Sequence, residues 1–88
     1  MKVYLMFEQY YSHNSRESGT LLCGVYASEE RAINARNHLI VEDINAHIAM
    51  GYPAEQDFDI NDNPRVIRYG DNGEVTESIY TIGEFEVQ

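Results

Sequence analysis

A single long helix, with recognisable signals at both ends, most constrains the fold of this 88-residue chain. Ser28 supplies a side-chain oxygen that caps free backbone N–H groups, and Glu29 and Glu30 complement the positive end of the helix dipole. At the other end, Gly51 tolerates positive φ and Pro53 cannot continue a helix. These signals enclose a helix of about 22 residues, which is roughly 33 Å long.

The predicted helix carries two apolar stripes. One stripe contains Ile33, Ile40, Ile44 and Ile48, and the other, roughly 135° away, contains Ala32, Ala35, Leu39, Ala46 and Met50. Arg36, Asp43 and His47 fall between them. Two stripes predict either one broad face on a sheet or a second seam that faces a partner chain. Asp43 and His47 are expected to form a helical ion pair or to be solvated, rather than to bind a metal.

Segments with β character precede the helix. Residues 2–9 are apolar at both parities, which is typical of a strand in the middle of a sheet. Residues 12–19 contain no apolar residue and end in glycine, so they indicate a mobile hairpin loop. Residues 20–27 then form the returning strand, and Gly24 predicts a bulge or a close packing contact within it.

A second hairpin is predicted after the helix. Residues 65–69 and 74–78 flank Gly70-Asp71-Asn72-Gly73, and Asn-Gly accepts positive φ at both turn positions. The last strand is expected to continue to residue 87, with a bulge at Gly83.

The segment between the helix and this hairpin is strongly acidic. Residues 54–64 hold four acids and no base, without sustained helical periodicity, and they are interpreted as a connection anchored by Phe58 and Ile60. The element order is therefore strand, strand, helix, strand, strand. We expect one α+β domain over residues 1–88, an antiparallel sheet of about four strands with the helix packed across one face.

All of the net charge lies in the second half of the chain. Residues 1–41 carry four acids and four bases, whereas residues 42–88 carry eleven acids against Arg65 and Arg68, which leaves a net charge of −9. Such a field attracts a cationic partner and repels nucleic acid and anionic membrane surfaces. No apolar run reaches the roughly 20 residues that span a bilayer. Direct binding to nucleic acid or to a membrane is therefore not expected.

One acidic segment partly matches a calcium-binding loop. Asp57, Asp59 and Asn61 occupy its first, third and fifth positions. Asp62 then stands where the loop needs glycine, and Arg68 stands where it needs glutamate. We expect no metal site, although weak binding of a divalent ion stays open.

The sequence contains no strong catalytic pattern. Cys23, the single cysteine, lies in an apolar strand where a buried thiol is the default, and it has no partner for an internal disulfide. There is no phosphate-binding glycine loop and no nucleophile elbow. We expect neither catalysis nor a cofactor, and the lone cysteine without a preceding leader segment favours a cytoplasmic setting.

Three segments resemble a group of small, largely uncharacterised phage and bacterial proteins. They are V-Y-L at residues 3–5, G-V-Y-A-S-E-E-R-A at residues 24–32 and Y-T-I-G-E-F-E-V at residues 80–87. Proteins of that group pair an N-terminal hairpin with a capped helix and end on a strand of Y-x-I-x-E-x-E type. The resemblance implies this fold and no catalytic residues. In size and charge the chain is also similar in style to phage anti-CRISPR and anti-restriction inhibitors.

These features predict a non-catalytic acidic binding protein. In the leading hypothesis it is phage-encoded and blocks a cationic surface of a nucleic-acid-binding defence complex in the host cytoplasm. The alternative is a small structural or homodimeric module that uses the helix seam or an exposed sheet edge. The leading hypothesis needs one contiguous acidic face. Its candidate contacts are Glu42, Asp43, Glu55, Asp57, Asp59, Asp62, Asp71, Glu74 and Glu77.

Overall fold

The computed structural model describes all 88 residues and contains one α-helix and five strands. The elements are β1 (Lys2–Ser12), β2 (Ser18–Tyr26), α1 (Glu29–Ala49), β3 (Ala54–Phe58), β4 (Pro64–Tyr69) and β5 (Val75–Glu86). The strands form one antiparallel sheet in the order β2-β1-β5-β4-β3, and α1 contacts all five of them. The predicted α+β class is confirmed, but the sheet has five strands rather than about four.

The two longest strands form the middle of the sheet. β1 and β5 pair along their length, from Lys2 opposite Glu86 to Ser12 opposite Thr76. β1 is therefore an interior strand, paired with β2 on one edge and with β5 on the other, as its apolar residues at both parities predicted. β2 and β3 are the two edge strands.

Both predicted helix ends are confirmed. Ser28 Oγ accepts a hydrogen bond from the Arg31 backbone N–H at 3.2 Å, which satisfies one of the free donors of the first turn. Gly51 adopts a φ of 94°, and its N–H bonds to the carbonyl of Ile48 at 2.9 Å. A residue with a Cβ is strained at that φ, so the glycine marks the end of the helix.

The prediction for the acidic connection is wrong. Residues 54–58 form β3, which pairs with β4 from Ala54 opposite Arg68 to Phe58 opposite Pro64. Phe58 and Ile60 anchor nothing, since both are exposed and Ile60 has 97% of its surface in solvent. An edge strand pairs through its backbone and needs no apolar pattern, which is why the sequence concealed it.

The glycine predictions have mixed outcomes. The pairing of β1 with β2 shifts register beside Gly24, so the bulge expected there is confirmed. Gly83 lies opposite Leu5 in unbroken register, so the bulge expected there is wrong. Its missing side chain instead leaves room for a ring: a Cβ at Gly83 would lie 2.8 Å from Phe85 Cε2. The Asn72-Gly73 turn has positive φ at both residues, as predicted.

The buried core is small. Only 7 of the 88 residues are buried, and Ile40 packs with Val66 and Tyr80 at the centre of the contact between helix and sheet. Leu39 and Ile44 flank this cluster. Much of the apolar content of the chain therefore lies outside the core.

Candidate functional site

The two faces of the sheet differ in what covers them. Residues directly opposite each other on paired strands point to the same face. Tyr80 bonds to Asp43 of α1, so Tyr80 and its strand partner Glu8 lie on the face that the helix covers. Ile79 and Thr81, one residue away along β5, lie on the other side. No helix packs on that side, which we call the open face.

An apolar patch occupies one half of the open face, where β2, β1 and β5 run side by side. Its side chains alternate along the three strands and are paired across them: Val3, Leu5, Phe7, Leu22, Val25 and Phe85. The Phe7 and Phe85 rings meet edge to face, with centroids 6.4 Å apart. Leu22, Val25 and Phe85 are each between 45% and 59% exposed. Contiguous exposed apolar surface of this kind marks interaction sites.

The other half of the open face carries three acids, which lie beside Arg65, Ile67 and Ile79. On β3, Asp57 accepts a hydrogen bond from Arg65 Nε at 2.7 Å, and this contact lowers the pKa of the Asp57 carboxyl. Glu55 accepts from the Tyr69 hydroxyl at 2.8 Å, which raises the pKa of Tyr69. On β5, Glu77 lies 3.2 Å from His13 Nε2. The open face therefore changes from apolar at β2 to acidic at β3.

The polar residues between the two helix stripes face the sheet, which sequence reasoning missed. Asp43 accepts from Arg68 Nη1 at 2.6 Å and from the Tyr80 hydroxyl at 3.1 Å. His47 Nε2 donates to the Tyr69 carbonyl at 2.6 Å. The expectation that Asp43 and His47 pair with each other or are simply solvated is therefore wrong. The residues buried on α1, Ala32 and Ile40, come one from each stripe, so the stripes are the flanks of one broad face.

Arg68 links this polar contact to β5 and β1. Its Nη2 donates to Ser78 Oγ at 2.7 Å, and the Ser78 hydroxyl donates to Glu8 Oε2 at 2.6 Å. Burial and the neighbouring Asp43 carboxylate raise the pKa of Tyr80. Ser78 and Tyr80 are both buried, so the network is enclosed between helix and sheet. These hydrogen bonds hold the helix and the sheet in one arrangement.

Two of the nine predicted acidic contacts lie on the helix, pointing in different directions. Asp43 is used inside the network just described. Glu42 lies on the outer surface of α1, 2.9 Å from His38 Nε2. Neighbouring helix positions are about 100° apart, so these two carboxylates cannot share a binding face.

The other seven occupy three places. Glu55, Asp57 and Glu77 share the open face. Asp59 and Asp62 lie in the β3–β4 turn, whereas Asp71 and Glu74 lie in the β4–β5 turn. β4 separates these two turns by about 20 Å, at roughly 3.3 Å per residue. The structure therefore brings three of the nine together on a sheet face and leaves the remainder at separate sites, so the nine do not form the one contiguous acidic face that the leading hypothesis needs.

Asp59 has a local structural role in its turn. Its Oδ1 accepts from the Asn61 and Asn63 backbone N–H groups at 2.9 and 2.8 Å, and these bonds, chiefly those with Asn63, lower the pKa of its carboxyl. Asp57, which occupies the first position of the partial calcium-loop match, bonds to Arg65 instead. No group of three or more His, Cys, Asp or Glu side chains is placed to hold a metal ion.

We expect Asp59→Ala to destabilise the chain in a pH-dependent way. Because the folded pKa of Asp59 lies below its usual value near 3.8, its carboxylate stabilises the fold above that value and loses this effect as pH falls. The stability difference between the wild type and Asp59→Ala, measured by urea unfolding, should be full at neutral pH and shrink below pH 3.8. Asp59→Asn keeps one acceptor oxygen and should cost less. A difference that grows in acid would contradict this role.

Two surface clefts border α1. One, of about 210 Å³, contains Arg36, whose buried Nε has no hydrogen-bond partner, between Glu29 and Glu84. The other, of about 230 Å³, lies beside His47 and Arg68. Both are smaller than the roughly 300 Å³ at which ligand pockets usually begin.

The open face is thus a surface that the fold leaves without an internal partner. Its apolar half consists of alternate residues along β1, β2 and β5, and this alternation is visible in the sequence. Only the tertiary structure shows that these residues lie on the side that the helix does not cover. The helix of the structure lacks the length of apolar chain needed to cross a membrane. No protein-family model, curated protein or solved structure matches this chain.

Proposed function

We propose that this chain is a non-catalytic protein-binding module and that the open face of its sheet is the binding surface. The apolar patch carries this proposal. Burial of a Leu, Val or Phe side chain contributes about 1.5–3 kcal/mol, and the patch leaves several of them in solvent while only seven residues of the chain are buried. Binding of a partner that covers the patch removes these side chains from water and is stabilised by this free energy.

The acids beside the patch specify the kind of partner. Glu55, Asp57 and Glu77 lie on the same face, and Arg65 neutralises only one of them. The overall charge of −9 adds a long-range attraction for cations. The partner we propose is therefore a protein with apolar contact residues next to lysines or arginines.

The hypothesis drawn from the sequence adds a class of partner to this proposal. That class is a nucleic-acid-binding complex of the host. Proteins that bind nucleic acid carry cationic grooves for phosphates. Carboxylates on a sheet are held with little freedom, so they can occupy such a groove, and the neighbouring patch can pack on its apolar rim. The chain would then be a phage-encoded inhibitor of anti-CRISPR or anti-restriction type. It would inhibit the complex by steric blockade of this groove.

Quantitative affinity capture from bacterial lysate tests the surface. The wild-type chain is compared with Phe85→Ser on the patch, Glu77→Gln in the acidic half and Val41→Ser on the outer side of α1. We expect the partner to be retained by wild type and Val41→Ser, reduced by Glu77→Gln in a salt-dependent way, and lost from Phe85→Ser. A partner that Val41→Ser loses and Phe85→Ser keeps would place the binding surface on the helix instead.

A further inference from the structure

We propose that the outer edge of β2 binds a second copy of this chain, so that two five-stranded sheets join into one continuous antiparallel sheet. β2 is a terminal strand of the sheet and pairs only with β1. The backbone N–H and C=O groups on its outer side have no partner strand. Nine residues at roughly 3.3 Å each make this edge about 30 Å long.

The two edges of the sheet differ in how they are protected. β3 has five residues, two of them acidic, and Pro53 immediately precedes it. Shortness, charge, proline and bulges are means by which natural proteins prevent strands from pairing at an edge. β2 has only the bulge beside Gly24, since its nine residues, S-G-T-L-L-C-G-V-Y, include no charge and no proline, and residues 18–22 are free of the bulge. Leu21, Leu22 and Val25 of β2 are all exposed.

Charge identifies the second copy as the occupant of this edge. Each chain carries a net charge of −9, all of it from residues 42–88, so two copies repel each other where these residues face one another. β2 belongs to the half of the chain whose charges cancel, and it lies at the opposite end of the sheet from β3. A like copy meets the least repulsion there, whereas a cationic partner gains no attraction from an uncharged strand.

Symmetry and the bulge together predict the register. An antiparallel pair of identical strands is related by a two-fold axis, the commonest symmetry of protein dimers. The bulge beside Gly24 bends β2 and interrupts regular pairing, which leaves residues 18–22 as its regular part. The axis is therefore expected to pass near Thr20. In a continuous sheet, the two open faces then lie on the same side.

Mass measurement by sedimentation, across a dilution series of the full chain, tests the dimer. We expect the wild type to reach twice the chain mass of 10.1 kDa as its concentration rises. Leu21→Lys places like charges on both copies near the axis and should weaken the dimer about tenfold or more. Gln56→Lys, the matched change on the β3 edge, should leave it unaltered. A wild type that stays monomeric throughout the series would overturn the proposal.

Cysteine cross-linking tests the register without depending on the mass measurement. In a Cys23→Ser background, Thr20→Cys should form a disulfide-linked dimer on mild oxidation, because opposed residues of an antiparallel pair lie about 4.5–5.5 Å apart. Gln56→Cys in the same background should not. A dimer that survives Leu21→Lys and is lost with Phe85→Ser would overturn edge pairing in favour of stacked open faces. The mass is measured without any partner protein. A monomeric wild type would therefore overturn the dimer alone, and loss of the partner in affinity capture bears only on the proposed function.

Discussion

Arg68→Met is expected to lower the free energy of unfolding by about 3 kcal/mol, because it leaves a half-buried carboxylate without its cation. Arg68 donates to Asp43, Ser78 and Thr76, and only 17% of its side chain is exposed. Methionine preserves much of the side-chain volume, so the loss reports on charge and hydrogen bonding more than on a cavity. Urea unfolding followed by circular dichroism measures it.

Arg65→Met is the matched control, because Arg65 also pairs with one aspartate but does so on the open face. Its pair with Asp57 is more exposed than that of Arg68 with Asp43, so we expect a loss within about 1 kcal/mol. Adding Asp43→Leu to Arg68→Met should recover part of the stability, since Glu8 is then the one carboxylate of the network left without a cation. Equal losses for the two arginine variants would show that the enclosed network does not hold the layers together.

Ile40→Ala is expected to cost about 3 kcal/mol by leaving a cavity in the central cluster. Ile40 is 3% exposed and packs against Val66 and Tyr80. With so few buried residues, a loss of this size removes a large share of the stability of a small domain. Chemical unfolding at neutral pH gives the value, and near-ultraviolet circular dichroism shows whether tyrosine packing survives.

Val41→Ala is the neighbouring control. Val41 is 55% exposed on α1, so its truncation should change stability by no more than about 0.5 kcal/mol. A cost as large as that of Ile40→Ala would mean that the outer side of the helix is buried in solution. That result would favour the helix seam as a dimer contact and would count against pairing at the β2 edge.

Local chemistry made several elements predictable. The Ser28 cap, the Gly51 terminator and the Asn72-Gly73 turn each depend on one or two residues and on backbone groups within a few positions. β3 was missed because a strand on a sheet edge is stabilised by backbone pairing with β4 and leaves little trace in side-chain pattern. Gly83 was misread because a glycine under an aromatic ring and a glycine at a bulge look alike in sequence.

Long-range contacts decided the parts of the site that sequence reasoning could not reach. Arg68 and Tyr80 lie 25 and 37 residues from Asp43, and no helical periodicity identifies such partners. The sequence placed Asp43 between two apolar stripes without showing that both stripes border one sheet. Likewise, alternation in β1 and β5 predicts two faces but does not say which one the helix covers.

The sequence by itself determined the α+β class, the ends of the helix and the net charge of −9 with its origin in residues 42–88. These properties follow from composition and local backbone preference. Only the tertiary structure decided where that charge lies. Asp43 lies between helix and sheet, three acids share the open face, four occupy two turns, Glu42 is on the outer helix surface, and Glu84 and Glu86 end β5. Strand pairing and layer packing join residues distant in sequence, and therefore they determine which side chains form a surface.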